Sequence, residues 1–283
     1  MEPACQHFRR FAGELEGRVL IDAERLRKLA RDEKIGAAVV EKDYAITWLL
    51  KGFFLDGSPL REGFVLKGGT AIRKAFFPGM WRFSEDLDFT VMDGGNADGI
   101  KESIQKILDM LLTESGISYS LYSFHPNPGA IIAYVQFRGP LNHPNKIKLD
   151  ISLSEKMALH AESRTVKGGF PDLPDFRIMV YTLREIMAEK IRSIMQRGYS
   201  RDYYDVWRLV KESQFDKQEI KSLLVRKCEL KGIAYEPNVL FDKTRLEEAN
   251  VHWSGGLSHL VKELPDFDKV ISELRVNLAF LQR

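Results

Sequence analysis

Residues 65–92 read VLKGGTAIRKAFFPGMWRFSEDLDFTVM. Val65 and Leu66 close a short apolar run, Gly68-Gly69-Thr70 makes a tight turn, and Thr70 to Phe76 starts a helix. Further on, Leu87, Phe89 and Val91 alternate with Asp86, Asp88 and Thr90. A strand with that period buries one face and puts both carboxylates on the other.

Two parallel acids on one face call for a cation. At about 4 Å two carboxylates repel by roughly 4 kcal/mol at an effective dielectric near 20, so a chain that only had to fold would rarely set them together unpaired. Oxygen-only donors on a rigid strand suit Mg²⁺, with Mn²⁺ the nearest substitute, because Mg²⁺ uses one or two protein carboxylates together with substrate phosphates. The plainer reading is a solvated Asp-Leu-Asp at a sheet edge. The Gly-Gly turn weighs against it: free backbone N–H groups and a helix N-terminus facing the acids make a phosphate site, with Lys67 as an added positive charge. Together, turn and acid pair read as a nucleoside triphosphate site.

Lys67-Gly68-Gly69-Thr70 followed by Arg82-Phe83-Ser84-Glu85-Asp86-Leu87-Asp88 resembles the signature of the AbiEii/AbiGii toxin family, a branch of the polymerase-beta-type nucleotidyltransferases. Gly-Gly-Thr and the long gap to the acids depart from the wider superfamily but agree with this branch. The resemblance implies an α+β fold, with a polymerase-beta-like core of mixed sheet and helices followed by an all-helical C-terminal lobe. It also implies Asp86, Asp88 and a third strand carboxylate as metal ligands, and Lys67, Gly68, Gly69, Thr70 and Ser84 at the nucleotide.

Elsewhere the composition excludes more than it suggests. The 283 residues are 44% hydrophobic and 29% charged with a net charge of +2, so bulk charge does not mark a nucleic-acid binder. Cys5 and Cys228 give no metal spacing and no disulfide framework, and a reducing cytoplasm is expected. The N-terminal MEPACQHFRRFAGELEG lacks an apolar leader, no run reaches membrane-spanning length, and the six histidines show no ligand spacing.

Helices are expected at 19–31 and 37–54; in the second, Val40, Tyr44, Thr47 and Trp48 share a face while Glu41, Lys42 and Asp43 lie off it, Lys42 and Asp43 either on a solvated side or approaching the site. VVEKDYAITWLL also resembles the family's opening helix. A helix then stops at Gly116, and Ile117–Phe124 and Ala130–Phe137 form a hairpin around HPNPG. In KIKLDISLS at 146–154, Asp150 and Lys148 face the polar side. Asp150 is either an isolated acid paired with Lys148 or, as the resemblance implies, the third ligand. Residues 160–177 hold Gly and Pro without a period and read as a linker, which divides the chain into a catalytic lobe at 1–159 and a helical lobe at 178–283.

Thr182-Leu183-Arg184-Glu185 is a capping box for the next helix, and Lys190, Arg192 and Arg197 cluster positive charge on it. Lys190 matches the family's nucleotide-contacting lysine; a surface lysine is the alternative. Ser200 can cap the following helix, where Arg201 and Asp205 stand i,i+4, either as a helical ion pair or, by resemblance to an Arg-Asp-x-x-Asp motif, with Asp205 positioning Lys190 or assisting the nucleophile. Helices at 216–231, 257–264 and 268–281 complete the chain, with Trp253 in the core.

Asp86, Asp88, Asp150, Lys190 and Asp205 are therefore the candidate catalytic set. The resemblance implies transfer of a nucleoside monophosphate from an NTP to an RNA acceptor, with the 3′ end of tRNA as candidate, a block of translation in phage defence, and a cognate antitoxin. A protein acceptor and a non-catalytic nucleotide-binding module remain as alternatives.

Overall fold

The structure, a computed structural model, describes residues 20–92 and 94–282. The N-terminal stretch read above as lacking a leader, with Cys5 and His7, lies outside them.

A seven-stranded mixed sheet in the order β3-β4-β5-β2-β1-β7-β6 forms the frame. The strands are β1 (Phe64–Lys67), β2 (Asp86–Val91), β3 (Ser118–Asn127), β4 (Ala130–Arg138), β5 (Pro144–Ser152), β6 (Glu162–Val166) and β7 (Phe176–Val180). β1 and β2 run antiparallel across the turn of residues 65–92, whereas β5 docks parallel to β2 on its other side. That register sets Asp88 beside Lys67 on one neighbour and beside Asp150 on the other.

Helix α1 (Ala23–Glu33) is capped by Asp22, whose side chain accepts from the Arg25 N–H at 2.8 Å. Helix α2 (Ala37–Phe54) lies beneath the sheet, packed between α1 and α4 (Ala97–Ser115). Its polar residues are not solvated as expected. Glu41 and Asp43 are buried, Glu41 accepting from the Leu141 N–H and Asp43 pairing with Arg73 and Lys74. An apolar stripe reveals the face that must be covered, but not that the opposite face is covered too.

Residues 160–177 are not the expected linker: they hold β6 and the start of β7, and β7 pairs with β1, so the sheet extends past 159. β6 is a short, mostly polar edge strand, which is why its period was invisible.

Beyond β7 the described chain is helical: α5 (Leu183–Gln196), α6 (Ser200–Glu212), α7 (Lys217–Lys231), α8 (Lys243–Val251), α9 (Trp253–Leu257) and α10 (Phe267–Asn277). The helix expected at 257–264 instead ends at Leu257; Trp253 is core as expected, its indole N–H donating to the Pro265 carbonyl at 2.9 Å. Thr182 caps α5 through the Glu185 N–H, but the Glu185 carboxylate does not close the box. It turns instead to the N–H groups of Ala158 and Leu159 and to Lys227.

Lys227 is the centre of the contact between α7 and the rest of the site. Its ammonium is 1% exposed and lies 3.1 Å from Glu185, 3.2 Å from Glu189 and 3.5 Å from Glu155. Replacing it by an apolar residue of similar length takes a cation from all three acids and leaves Glu185 with only the Ala158 and Leu159 N–H groups. Lys227→Met should cost at least about 3 kcal/mol in urea unfolding; an unchanged midpoint would show that the cluster adds nothing net to stability.

Candidate active site

The Gly-Gly turn is shaped by contact with the acids. Gly68 has φ +74°, and a Cβ there would lie 2.2 Å from the Asp88 carboxylate; one at Gly69 would meet Arg82 at 2.8 Å and Ser84 Oγ at 3.1 Å. Glycine therefore lets the backbone reach the acid strand where no other residue could. The turn opens helix α3 (Gly68–Ala71), which passes directly into a π-helical turn at Ile72–Phe76. Thr70 does not present its hydroxyl to the cleft. Thr70 is fully buried and its hydroxyl donates to the Asp86 carbonyl at 2.5 Å, which ties the turn to β2.

Asp88 and Asp150 sit side by side across β2 and β5, with Asp86 two residues up the same face. Lys148 Nζ lies 3.0 Å from Asp150, so the plain ion pair foreseen from the sequence does form. Burial, opposed by Lys67 and aided by Asp86 and Asp150, leaves the Asp88 carboxyl raised to about 6. Among the described residues no three His, Cys, Asp or Glu side chains form a ready-made metal cage. The donor set fits a hard cation that takes two carboxylates and completes its shell with phosphate oxygens and water.

Opposite the acids stands Lys190 on α5, 2.9 Å from Asp202 and 2.9 Å from Asp205. Burial lowers its affinity for a proton, but the two aspartates more than offset this and hold it above the ordinary lysine range. Asp205 is fully buried. It accepts a two-pronged grip from Arg82 at 2.7 Å on each oxygen and a further bond from the Trp81 indole at 3.2 Å. The expected Arg201–Asp205 pair is absent: Arg201 binds Glu85 at 2.6 Å, and Asp205 turns inward. Burial raises the Asp205 carboxyl, yet Arg82 and Lys190 bring it down to about 2.

The positive cluster expected on α5 is likewise neutralised, Arg192 by Glu155 and Arg197 by Asp202. Lys67 does not stand free beside the turn either, since Glu155 holds it at 2.6 Å and Glu189 at 3.3 Å. Ser200 caps nothing; Tyr199 occupies the N-cap of α6, and the Ser200 hydroxyl donates to the Ala249 carbonyl.

Two cavities meet at Asp88, Asp150, Lys190 and Arg197. One of about 210 Å³ runs past Lys67, Gly68 and Glu155. The other, about 700 Å³, passes Gly69, Ser84 and Asp86 toward the C-terminal helices. Of the sequence-predicted residues, Lys67, Gly68, Gly69, Ser84, Asp86, Asp88, Asp150 and Lys190 face this cleft, and Thr70 and Asp205 support it from behind.

This is the layout of an acid strand, a glycine turn and a facing lysine. The sequence matches the family of the nucleotidyl transferase AbiEii toxin, type IV toxin–antitoxin system, over residues 48–273. The chain belongs to that family. It is thus a nucleotidyltransferase toxin, of a family that generally uses divalent metals and implies an NTP substrate and an antitoxin. Its fold is similar to that of MenT4, the nucleotidyltransferase toxin Rv2826c from Mycobacterium tuberculosis H37Rv, with TM-score 0.68 and 18% identity over 93% of this chain and 90% of that one. Comparison of the sequence with curated proteins gives no match. Among the described residues no helix is long and apolar enough to cross a membrane.

Sequence reasoning missed Arg82, Asp202, Glu155 and Glu189 as residues lining this cleft. Asp202 and Asp205 had a usable signal, since acids at i and i+3 share a helix face and want one cation between them. Arg82 sat inside the quoted signature without a role.

Gly68→Ala should cost stability only about 1–2 kcal/mol, the strain of a non-glycine residue at positive φ, yet remove nearly all nucleotidyl transfer by displacing Asp88; transfer at parental rates would refute the close approach. For Asp88, the proton is held equally below its ordinary value of 3.8, whereas above about 6 only the folded chain carries a costly charge. Its contribution is therefore present at low pH and lost as pH rises through 6. Metal-free Asp88→Asn should match the parent near pH 4 and exceed it by on the order of 1 kcal/mol at pH 7–8. Equal stability at both pH values would show that Asp88 is not strained.

Proposed function

We propose that this toxin transfers a nucleoside monophosphate from an NTP to an RNA acceptor, specifically the 3′ end of tRNA, releasing pyrophosphate in the cytoplasm, and that a cognate antitoxin restrains it. The arrested translation would serve phage defence. The observation that supports the reading is that Gly68, Gly69, Ser84, three strand aspartates and the fixed ammonium of Lys190 converge on one cleft.

Asp86 and Asp88 would hold Mg²⁺ or Mn²⁺, with Asp150 as third ligand once it leaves Lys148. When bound, the cation supplies neutralisation of the phosphate charge. The chain's own residues do the rest by positioning. The glycine turn brings backbone N–H groups to the phosphates. Lys190, aimed by Asp202 and Asp205, balances charge on the departing pyrophosphate. Asp150 would draw the attacking hydroxyl into line with the α-phosphorus.

The test is label transfer: purified protein, divalent metal, each α-labelled NTP in turn, and total RNA or protein extract, with Asp88→Ala as control. Label in a tRNA-sized band, absent in the control, is expected. Label on a protein band would replace the acceptor, and nucleotide binding without any transfer would leave a binding module. Lys190→Ala should lose at least tenfold in NTP affinity while RNA affinity changes little; the reverse would remove Lys190 from the triphosphate.

A further inference from the structure

A helix N-cap favours Ser, Thr, Asp or Asn, whose side chain accepts from the first free N–H groups. Helix α6 breaks this rule beside the catalytic lysine. Its N-cap is Tyr199, which makes no side-chain capping bond, while the serine next to it is turned to the Ala249 carbonyl at 2.9 Å. Shifting the chain by one residue would have supplied a normal cap. Departures of this kind concentrate at sites where a side chain serves something other than the fold.

The ring of Tyr199 also lacks a packing role. It is 60% exposed, and among the described residues its ring contact is the guanidinium of Arg197, 4.8 Å from the centroid. Arg197 is itself fixed by Asp202 at 3.1 Å, the aspartate that also holds Lys190. One face of the ring is thus backed by an anchored cation, and the rest is left to the 700 Å³ cleft that contains Asp86, Asp88 and Asp150. Lys148, Arg201 and His252 lie along the same cleft. A flat aromatic surface among cations, next to a phosphate-handling site, is the composition that receives stacked bases.

We propose that Tyr199 is a stacking platform for a nucleobase in the active-site cleft, with Arg197 clamping the ring from behind. The proposal deepens the transferase reading and rests on it for the source of the base, which is either the NTP or the terminal nucleotide of the acceptor. Both present the same π-face, and stacking tolerates any base. Tyr199 is a binding residue; Arg197 acts through it as a positioning residue.

Tyr199→Ser separates this role from a structural one, because it supplies the cap that α6 lacks and removes the ring. The probes are 2-aminopurine riboside triphosphate and a short single-stranded RNA ending in 2-aminopurine, whose fluorescence is quenched by stacking. They are titrated against the full chain, its Tyr199→Phe and Tyr199→Ser variants, and the Asp88→Asn variant. Tyr199→Ser should melt no lower than the parent yet bind one probe at least tenfold more weakly with the quench lost, while Tyr199→Phe stays within about twofold. Loss with the triphosphate, together with a raised KM for NTP, assigns the platform to the incoming nucleotide; loss with the RNA and a raised KM for acceptor assigns it to the terminal base. Unchanged affinity and quench for both probes in Tyr199→Ser overturns the platform, even where label transfer succeeds. A Tyr199-dependent quench in a protein that transfers no label upholds the platform and removes the transferase reading instead.

Discussion

A single buried carboxylate holds the walls of the cleft together. Asp205 has no exposure, and an isolated charge in such a place would be prohibitively costly. It is accepted because three groups from two separate segments converge on it: the Arg82 fork, the Trp81 indole and the Lys190 ammonium. Trp81 and Arg82 belong to the segment between the glycine turn and the acid strand, Lys190 to α5, and Asp205 to α6. None of these elements can shift without leaving a charge unpaired in an apolar surround, so the distance from lysine to acids is set by electrostatics as much as by packing.

A second network works alongside the first. Lys67, Lys227 and Arg192 face Glu155, Glu185 and Glu189, with no exposed side chain among them. Burial pushes the Glu189 carboxyl up, and Lys67 and Lys227 then bring it down to about 2. These charges cancel one another, which leaves the strand aspartates as the site's uncompensated charge. Lys148 covers part of it. The remainder leaves that wall of the cleft acidic, the kind of surface a hard cation with phosphate oxygens in its shell would fit.

The alternation of Asp86, Leu87, Asp88 and Phe89 and the later one around Asp150 were readable because a strand's period of two is a local property. The glycine turn was readable for the same reason. What the sequence hid were partners. Arg201 and Asp205 are one helical turn apart and invite pairing, yet Arg201 reaches back to Glu85 and Asp205 to Arg82. Glu185 looked like half of a capping box and serves Lys227 instead. The polar edge strand at 162–166 looked like a linker, because an edge needs no apolar face to be held by its neighbour's hydrogen bonds. Residues such as Glu41 and Asp43 looked solvated because nothing nearby in sequence announced their cations. Local period reveals where a side chain points, and tertiary structure decides what it meets.

The parallel docking of β5 on β2 has a consequence for the order of events during synthesis. The two aspartates of β2 emerge early, but their neighbour on β5 follows only after a helix and a hairpin have been made, and the lysine and its buried anchor come later still. Parallel, non-sequential pairing is slow to form and cannot begin before its second strand exists. A chain emerging from the ribosome therefore carries no completed cleft until most of its length is out. A nucleotidyltransferase toxin is by this topology unfinished while it is still being made, and the interval before completion is available for a restraining partner to arrive.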